Sequence, residues 1–132
     1  MIAIDTNLLV YAHRPEMPFY PRARQILSEA VAGPEPVCVP WPCAHEFLAV
    51  VSNPRIFKDP TPMPIALDAL SRLHQSLSAR FLAAGEGYLD MLVRIARPAL
   101  LQGAIPHDAR VAALCLFHGV RLLWSAGTTQ HR

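Results

Sequence analysis

Lysine occurs once in this chain, at Lys58, and the other eleven cations are arginine. Twelve basic residues face ten acidic ones, so the formal net charge is only +2. That balance excludes a strongly cationic, non-specific nucleic-acid binder, but it leaves room for a few phosphate contacts, which the planar guanidinium makes well. Cysteine is scarce as well. Cys38, Cys43 and Cys115 form an odd set with no CxxC pair, which argues against a disulfide framework or a zinc cluster and for free, buried thiols. No stretch approaches the roughly 18 consecutive apolar residues of a membrane span. No basic-then-apolar leader precedes the first strand, so the chain reads as cytoplasmic, with no membrane partner. Gly85-Glu86-Gly87 resembles the start of a dinucleotide loop, but position 90 is Asp where a third glycine belongs, which excludes a nucleotide cofactor.

What the chain does have is apolar residues and proline. Its 132 residues suffice for one domain, read as spanning 1–132, with a substantial core. The hydrophobic share of 52% and mean hydropathy of +0.24 are high for so small a domain, and part of that excess is expected on the surface, for a partner. Thirteen prolines cut the sequence into elements. Met1 to Ile4 is a short apolar strand of the kind buried on both faces, and Leu8 to Ala12 resumes as helix after Asp5-Thr6-Asn7. Three prolines between Arg14 and Pro21 impose a loop, and Ala23, Ile26, Leu27, Ala30 and Val31 follow at helical spacing up to Gly33-Pro34. Pro36 to Pro40 is a second strand. Trp41-Pro42 opens a helix whose buried stripe is Ala44, Phe47, Leu48 and Val51.

After a proline-rich loop from Lys58 to Pro64, Ala66, Leu70, Leu73 and Leu77 mark a helix reaching about Ser78. Arg80 to Ala83 reads as a third strand, and Leu89, Leu92, Val93 and Ala96 as a helix starting near Glu86. The segment from Ala109 to Phe117 is apolar almost all round, hence deep in the domain, and Gly119 ends it. Val120 to Trp124 is a last strand. Strands alternating with helices of these lengths specify an α/β fold with a mainly parallel sheet covered on both faces.

Three acids stand at junctions in this pattern. Asp5 follows the first strand, Glu46 lies one turn into the helix after the second, and Asp108 is in the first turn of the last helix. Each can be a helix cap or a partner of the helix dipole. Together they can be ligands, because clustered carboxylates repel unless a cation joins them, and oxygen donors without a Cys or His set suit Mg²⁺ or Mn²⁺ rather than zinc. His107 is either a helix-start residue or a substrate contact. His45, His74 and His118 read as surface or capping residues. Arg14, Arg55, Lys58 and Arg110 are candidate phosphate contacts.

The segments Ile4-Asp5-Thr6-Asn7-Leu8-Leu9-Val10-Tyr11-Ala12, His45 to Pro54, His107 to Leu114 with His118-Gly119-Val120, and Leu123-Trp124-Ser125-Ala126 occur in one order. In that order they resemble the PIN-domain ribonuclease toxins of the VapBC type. The resemblance implies a three-layer α/β/α sandwich around a central mainly parallel sheet. It also implies a Mg²⁺-dependent endoribonuclease, the toxin of a type II toxin–antitoxin system, with Asp5, Glu46 and Asp108 as catalytic metal ligands and the hydroxyls of Thr6 and Ser125 supporting them. Implied partners are an RNA substrate, a small cognate antitoxin and a second copy of the chain. Three features depart from the pattern: Gly127 stands where the family has a further Asp, Thr129 where it often has another, and the C-terminus reads as shortened or altered relative to the family. The competing reading is therefore a catalytically impaired PIN relic that binds antitoxin or RNA without cutting. An aspartyl-phosphate phosphatase would want a second acid at position 7, where Asn7 stands.

Overall fold

The computed structural model describes residues 1–97, 107–120, 122–125 and 128–131. Its elements are β1 (Ile2–Ile4), α1 (Thr6–His13), α2 (Tyr20–Ala32), β2 (Val37–Pro40), α3 (Trp41–Val51), α4 (Met63–Gln75), β3 (Ala79–Leu82), α5 (Tyr88–Ala96), α6 (His107–Phe117), β4 (Leu122–Ser125) and β5 (Thr128–His131). The sheet order is β3-β2-β1-β4-β5. The first four strands are parallel, and β5 returns antiparallel to β4. The mainly parallel α/β/α architecture expected from the sequence is therefore present, with β1 at its centre.

The central strands are apolar at every position because helices cover both faces of the sheet. Side chains alternate across it, so Ile4, Val37 and Val39 join one core with Leu8, Ala23, Phe47 and Val51 from the helices. Ala3, Cys38 and Leu123 point the other way, into a second core with Val111, Cys115 and Val120. Helix α3 bridges the two, giving Ala44, Phe47 and Val51 to the first and Cys43 to the second. Each of α2, α3 and α4 carries proline in its opening positions, where the missing N–H costs nothing.

Several boundaries differ from the sequence reading, and β3 is shifted by one residue, to Ala79–Leu82. The sheet does not end at Trp124. β4 runs through Ser125, and β5 adds a fifth strand whose residues Thr128–His131 carry no apolar alternation to announce it. Helix α5 begins at Tyr88 rather than Glu86, because Gly87 is left-handed at φ 86° and stands outside the helix as its cap. Helix α4 stops at Gln75, short of Ser78, and Leu77, expected on its stripe, is fully exposed beyond it. Gly119 takes φ 76° and closes α6 as anticipated.

Candidate active site

In a parallel sheet each strand ends on the same side, and a helix leading into the next strand starts there. This geometry brings three segments together. β1 ends at Ile4, so Asp5 sits directly beyond the central strand, at the point where the sheet order departs in opposite directions toward β2 and β4. β2 runs without a loop into α3, which carries Cys43 and Glu46. α6, leading into β4, starts with His107 and Asp108.

Asp5 caps α1. Its Oδ1 accepts from the Thr6 backbone N–H at 2.7 Å, while its own N–H donates to the Trp124 carbonyl at 2.8 Å, fixing the residue between helix and sheet. The buried Cys43 thiol donates to the same Oδ1 at 3.6 Å. His107 occupies the middle of the cluster. Its Nδ1 lies 2.9 Å from Glu46 Oε2, and its Nε2 lies 3.4 Å from the Thr6 hydroxyl and 4.0 Å from Cys43 Sγ. With the Nδ1 proton facing Glu46, Nε2 is the acceptor for the Thr6 hydroxyl. Burial pushes the Cys43 thiol well above its ordinary range, and the neighbouring Asp5 carboxylate adds to the shift.

Of the five residues expected at the site, Glu46 pairs with His107, the Thr6 hydroxyl faces the other nitrogen of the same ring, and a carboxylate oxygen of Asp5 lies within 4.8 Å of that ring's nearer ligand atom. Asp108 is exposed, one residue beyond His107 and at the same end of the sheet. Ser125 closes β4, but its side chain and Gly127 lie outside the described residues. Sequence reasoning gave Cys43 no role here and left His107 between two roles. The available signal for Cys43 was its place three residues before Glu46, a spacing that puts two side chains on one helix face.

Against the cluster lies a groove of about 580 Å³ lined by Trp41, His45, Glu46, Tyr88, His107 and Arg110, among others. Arg110 is exposed and close enough to Tyr88 to oppose the upward shift that burial gives its phenol. Arg14 is not available for phosphate. It is buried, donating to Glu16 from Nε at 2.9 Å, to Thr61 at 2.9 Å and to the Asp59 carbonyl at 2.7 Å, with its guanidinium 4.2 Å above the Phe57 ring. Lys58 and Arg55 remain exposed. Among the described residues, no helix is long and apolar enough to cross a membrane.

A mainly parallel sheet of this order between helices, with polar side chains gathered at the ends of its central strands, defines a PIN-type α/β protein. The comparisons agree with that class. Ribonuclease VapC43 of Mycobacterium tuberculosis is 31% identical over 116 residues, 88% of this chain and 79% of the relative. Ribonuclease VapC48 of the same species is 28% identical over 121 residues, 92% and 83% of the two chains. The chain belongs to the VapC family of ribonuclease toxins. No protein-family model matches it. Among solved structures, the sarcin-ricin loop cleaving toxin VapC20 of Mycobacterium tuberculosis superposes with a TM-score of 0.65 at 14% identity, covering 95% of this chain and 88% of that one. DNA-bound VapBC of Salmonella typhimurium gives 0.54 at 12%, covering 90% and 81%. At these identities the two structures speak for the fold.

Proposed function

We propose that this VapC ribonuclease is a Mg²⁺-dependent endoribonuclease that hydrolyses RNA phosphodiester bonds at the end of the sheet where Asp5, Glu46 and Asp108 stand. The observation that carries the reading is the 2.9 Å Glu46–His107 pair, which ties together the helices that carry the second and third acids. A hard divalent cation suits three carboxylates of which none is buried, since Mg²⁺ is held by one or two carboxylates while keeping several waters. Mn²⁺ suits them equally. When bound, the ion supplies charge against the scissile phosphate and acidifies a water.

The remaining work falls to the chain. The α1 N-terminus and the Trp124 carbonyl hold Asp5 in place, and the Thr6 hydroxyl meets the His107 ring that pairs with Glu46. Arg110 is placed to meet a phosphate. Trp41 and Tyr88 offer faces for unstacked bases, the way single-stranded RNA is commonly gripped. That VapC20 cleaves the sarcin-ricin loop supports an RNA substrate. That VapBC is a toxin–antitoxin complex supports a small antitoxin as partner. A homodimer in the cytoplasm completes the reading.

The test is cleavage of a panel of structured RNAs with and without Mg²⁺. Asp5→Asn removes the charge and keeps the volume, and Asn caps a helix as well as Asp does. Cleavage is expected to fall at least ~10²-fold, the scale on which a misplaced catalytic contact acts, with the melting temperature unchanged. A variant that cuts like its parent reduces Asp5 to a cap. An RNA-binding parent that cuts nothing favours the impaired relic.

A further inference from the structure

The donors around Asp5 are not those of a pure oxygen site. A carboxylate oxygen of Asp5, Cys43 Sγ and a ring nitrogen of His107 are ligand atoms of three different kinds, from three separate segments, and all lie within 4.8 Å of one another. Zinc takes Cys sulfur at about 2.3 Å and His nitrogen or carboxylate oxygen at about 2.0–2.2 Å, so tetrahedral ligands around it stand roughly 3.4–3.6 Å apart. The Cys43–Asp5 separation is 3.6 Å and the Cys43–His107 separation 4.0 Å. Closing the set needs shifts of only a few tenths of an ångström on those two edges.

A second observation, independent of these distances, points the same way. Histidines that hold zinc usually donate their other ring N–H to a carboxylate, which fixes the tautomer and aims the free lone pair. Glu46 Oε2, 2.9 Å from His107 Nδ1, provides that carboxylate. The opposite nitrogen, Nε2, faces Cys43 Sγ at 4.0 Å and the Thr6 hydroxyl at 3.4 Å. The sequence gives no hint of this, because the three donors sit at positions 5, 43 and 107 with no metal-ligand spacing.

We infer that Asp5, Cys43 and His107 form a zinc site with Glu46 orienting His107, and that its occupation withdraws Asp5 from the magnesium chemistry and inhibits the nuclease. The inhibition rests on the function proposed above; the binding does not. Mixed S, N and O donors favour Zn²⁺ over Mg²⁺, which lacks affinity for thiolate. Binding breaks the Cys43 S–H bond and forms a Zn–S bond, the proton leaving to solvent with no change in oxidation state. Three protein ligands leave a fourth position for water.

The experiment uses the whole chain, stripped with chelator, and no RNA. Zn²⁺ titrated alone is expected to bind one ion per chain. Co²⁺ in its place is expected to give tetrahedral visible bands and a thiolate-to-metal charge-transfer band in the near ultraviolet. Cys43→Ser should remove the charge-transfer band and weaken zinc at least tenfold, and Glu46→Gln should weaken it about ten- to hundredfold while leaving the band in place. Circular dichroism checks that each variant folds. Should Cys43→Ser not fold, His107→Gln takes its place and must lose the same affinity.

Absence of zinc binding, or equal binding by the folded Cys43 and His107 variants, overturns the site. Zinc that binds there while Mg²⁺-driven cleavage continues at its full rate overturns the inhibition. If zinc binds as expected and no RNA is cut under any condition, the nuclease reading fails and the zinc site stands.

Discussion

Asp5 carries two duties that a substitution can separate. It caps α1 and it presents a carboxylate beyond β1. Asp5→Asn addresses the charge alone, whereas Asp5→Ala removes the acceptor for the Thr6 N–H and is expected to cost an additional 0.5–2 kcal/mol of stability, about 1 kcal/mol in the middle of that range, read by urea denaturation. Gly127 belongs to the same scale. If the site lacks one acid, Gly127→Asp should raise single-turnover cleavage at fixed Mg²⁺ by roughly the ten- to hundredfold that a catalytic contact carries, with little change in RNA affinity. An unchanged rate means that the three remaining acids suffice. The sequence made the acids legible because each stands at or near the junction where a strand or loop gives way to a helix. It could not make Cys43 legible, since a small apolar-seeming residue on the buried stripe of a helix looks the same whether it faces core or carboxylate. His107 was half visible, as a helix-start residue whose true neighbours are about a hundred positions upstream.

Among the elements, the junction after α1 is where pH acts on the fold. His13 ends α1 with its Nε2 3.2 Å from the Thr61 hydroxyl and its ring edge-on to Phe47, and the neighbouring Arg14 ties the same loop together. Burial, helped by the Arg14 charge, lowers the pKa of His13 from its ordinary 6.5. The unfolded chain therefore takes up a proton near pH 6.5 that the folded chain refuses, and the stabilisation fully present above that pH is lost as pH falls toward the lowered folded value. Glu16, held low first by its backbone hydrogen bond and then by Arg14, contributes in the same direction further into acid. Melting temperature followed from neutral pH down to pH 5 should decline with a slope that His13→Gln reduces; parallel slopes in parent and variant would remove His13 from the account. The proline-bounded helices and short apolar strands were readable at this scale, because proline and glycine act locally. β5 was not, because an edge strand of polar residues is specified by the neighbour it pairs with and not by its own pattern.

For the whole molecule, the apolar excess noted in the sequence is partly at the surface. α5 exposes Leu89 and Val93, and α4 exposes Ile65 and Leu67. With dimerisation and antitoxin capture as the proposed use of such surface, sedimentation at tens of micromolar should show a dimer, a concentration at which even a weak pair with a Kd of about 10 µM associates. Leu89→Glu should shift the population toward monomer if α5 lies in the contact; a monomeric parent would count against the dimer itself.

The central position of β1 has a consequence for the order in which the protein is made. Asp5 is synthesised well before its partners: the carbonyl that receives its N–H belongs to Trp124, and His107, whose ring meets the neighbouring Thr6 hydroxyl, lies about a hundred residues further on. Synthesis proceeds from the N-terminus at about 5–20 residues per second, so the Asp5 carboxylate waits several seconds for the strand that fixes it. A nascent or interrupted polypeptide thus carries the acid without the means to hold it.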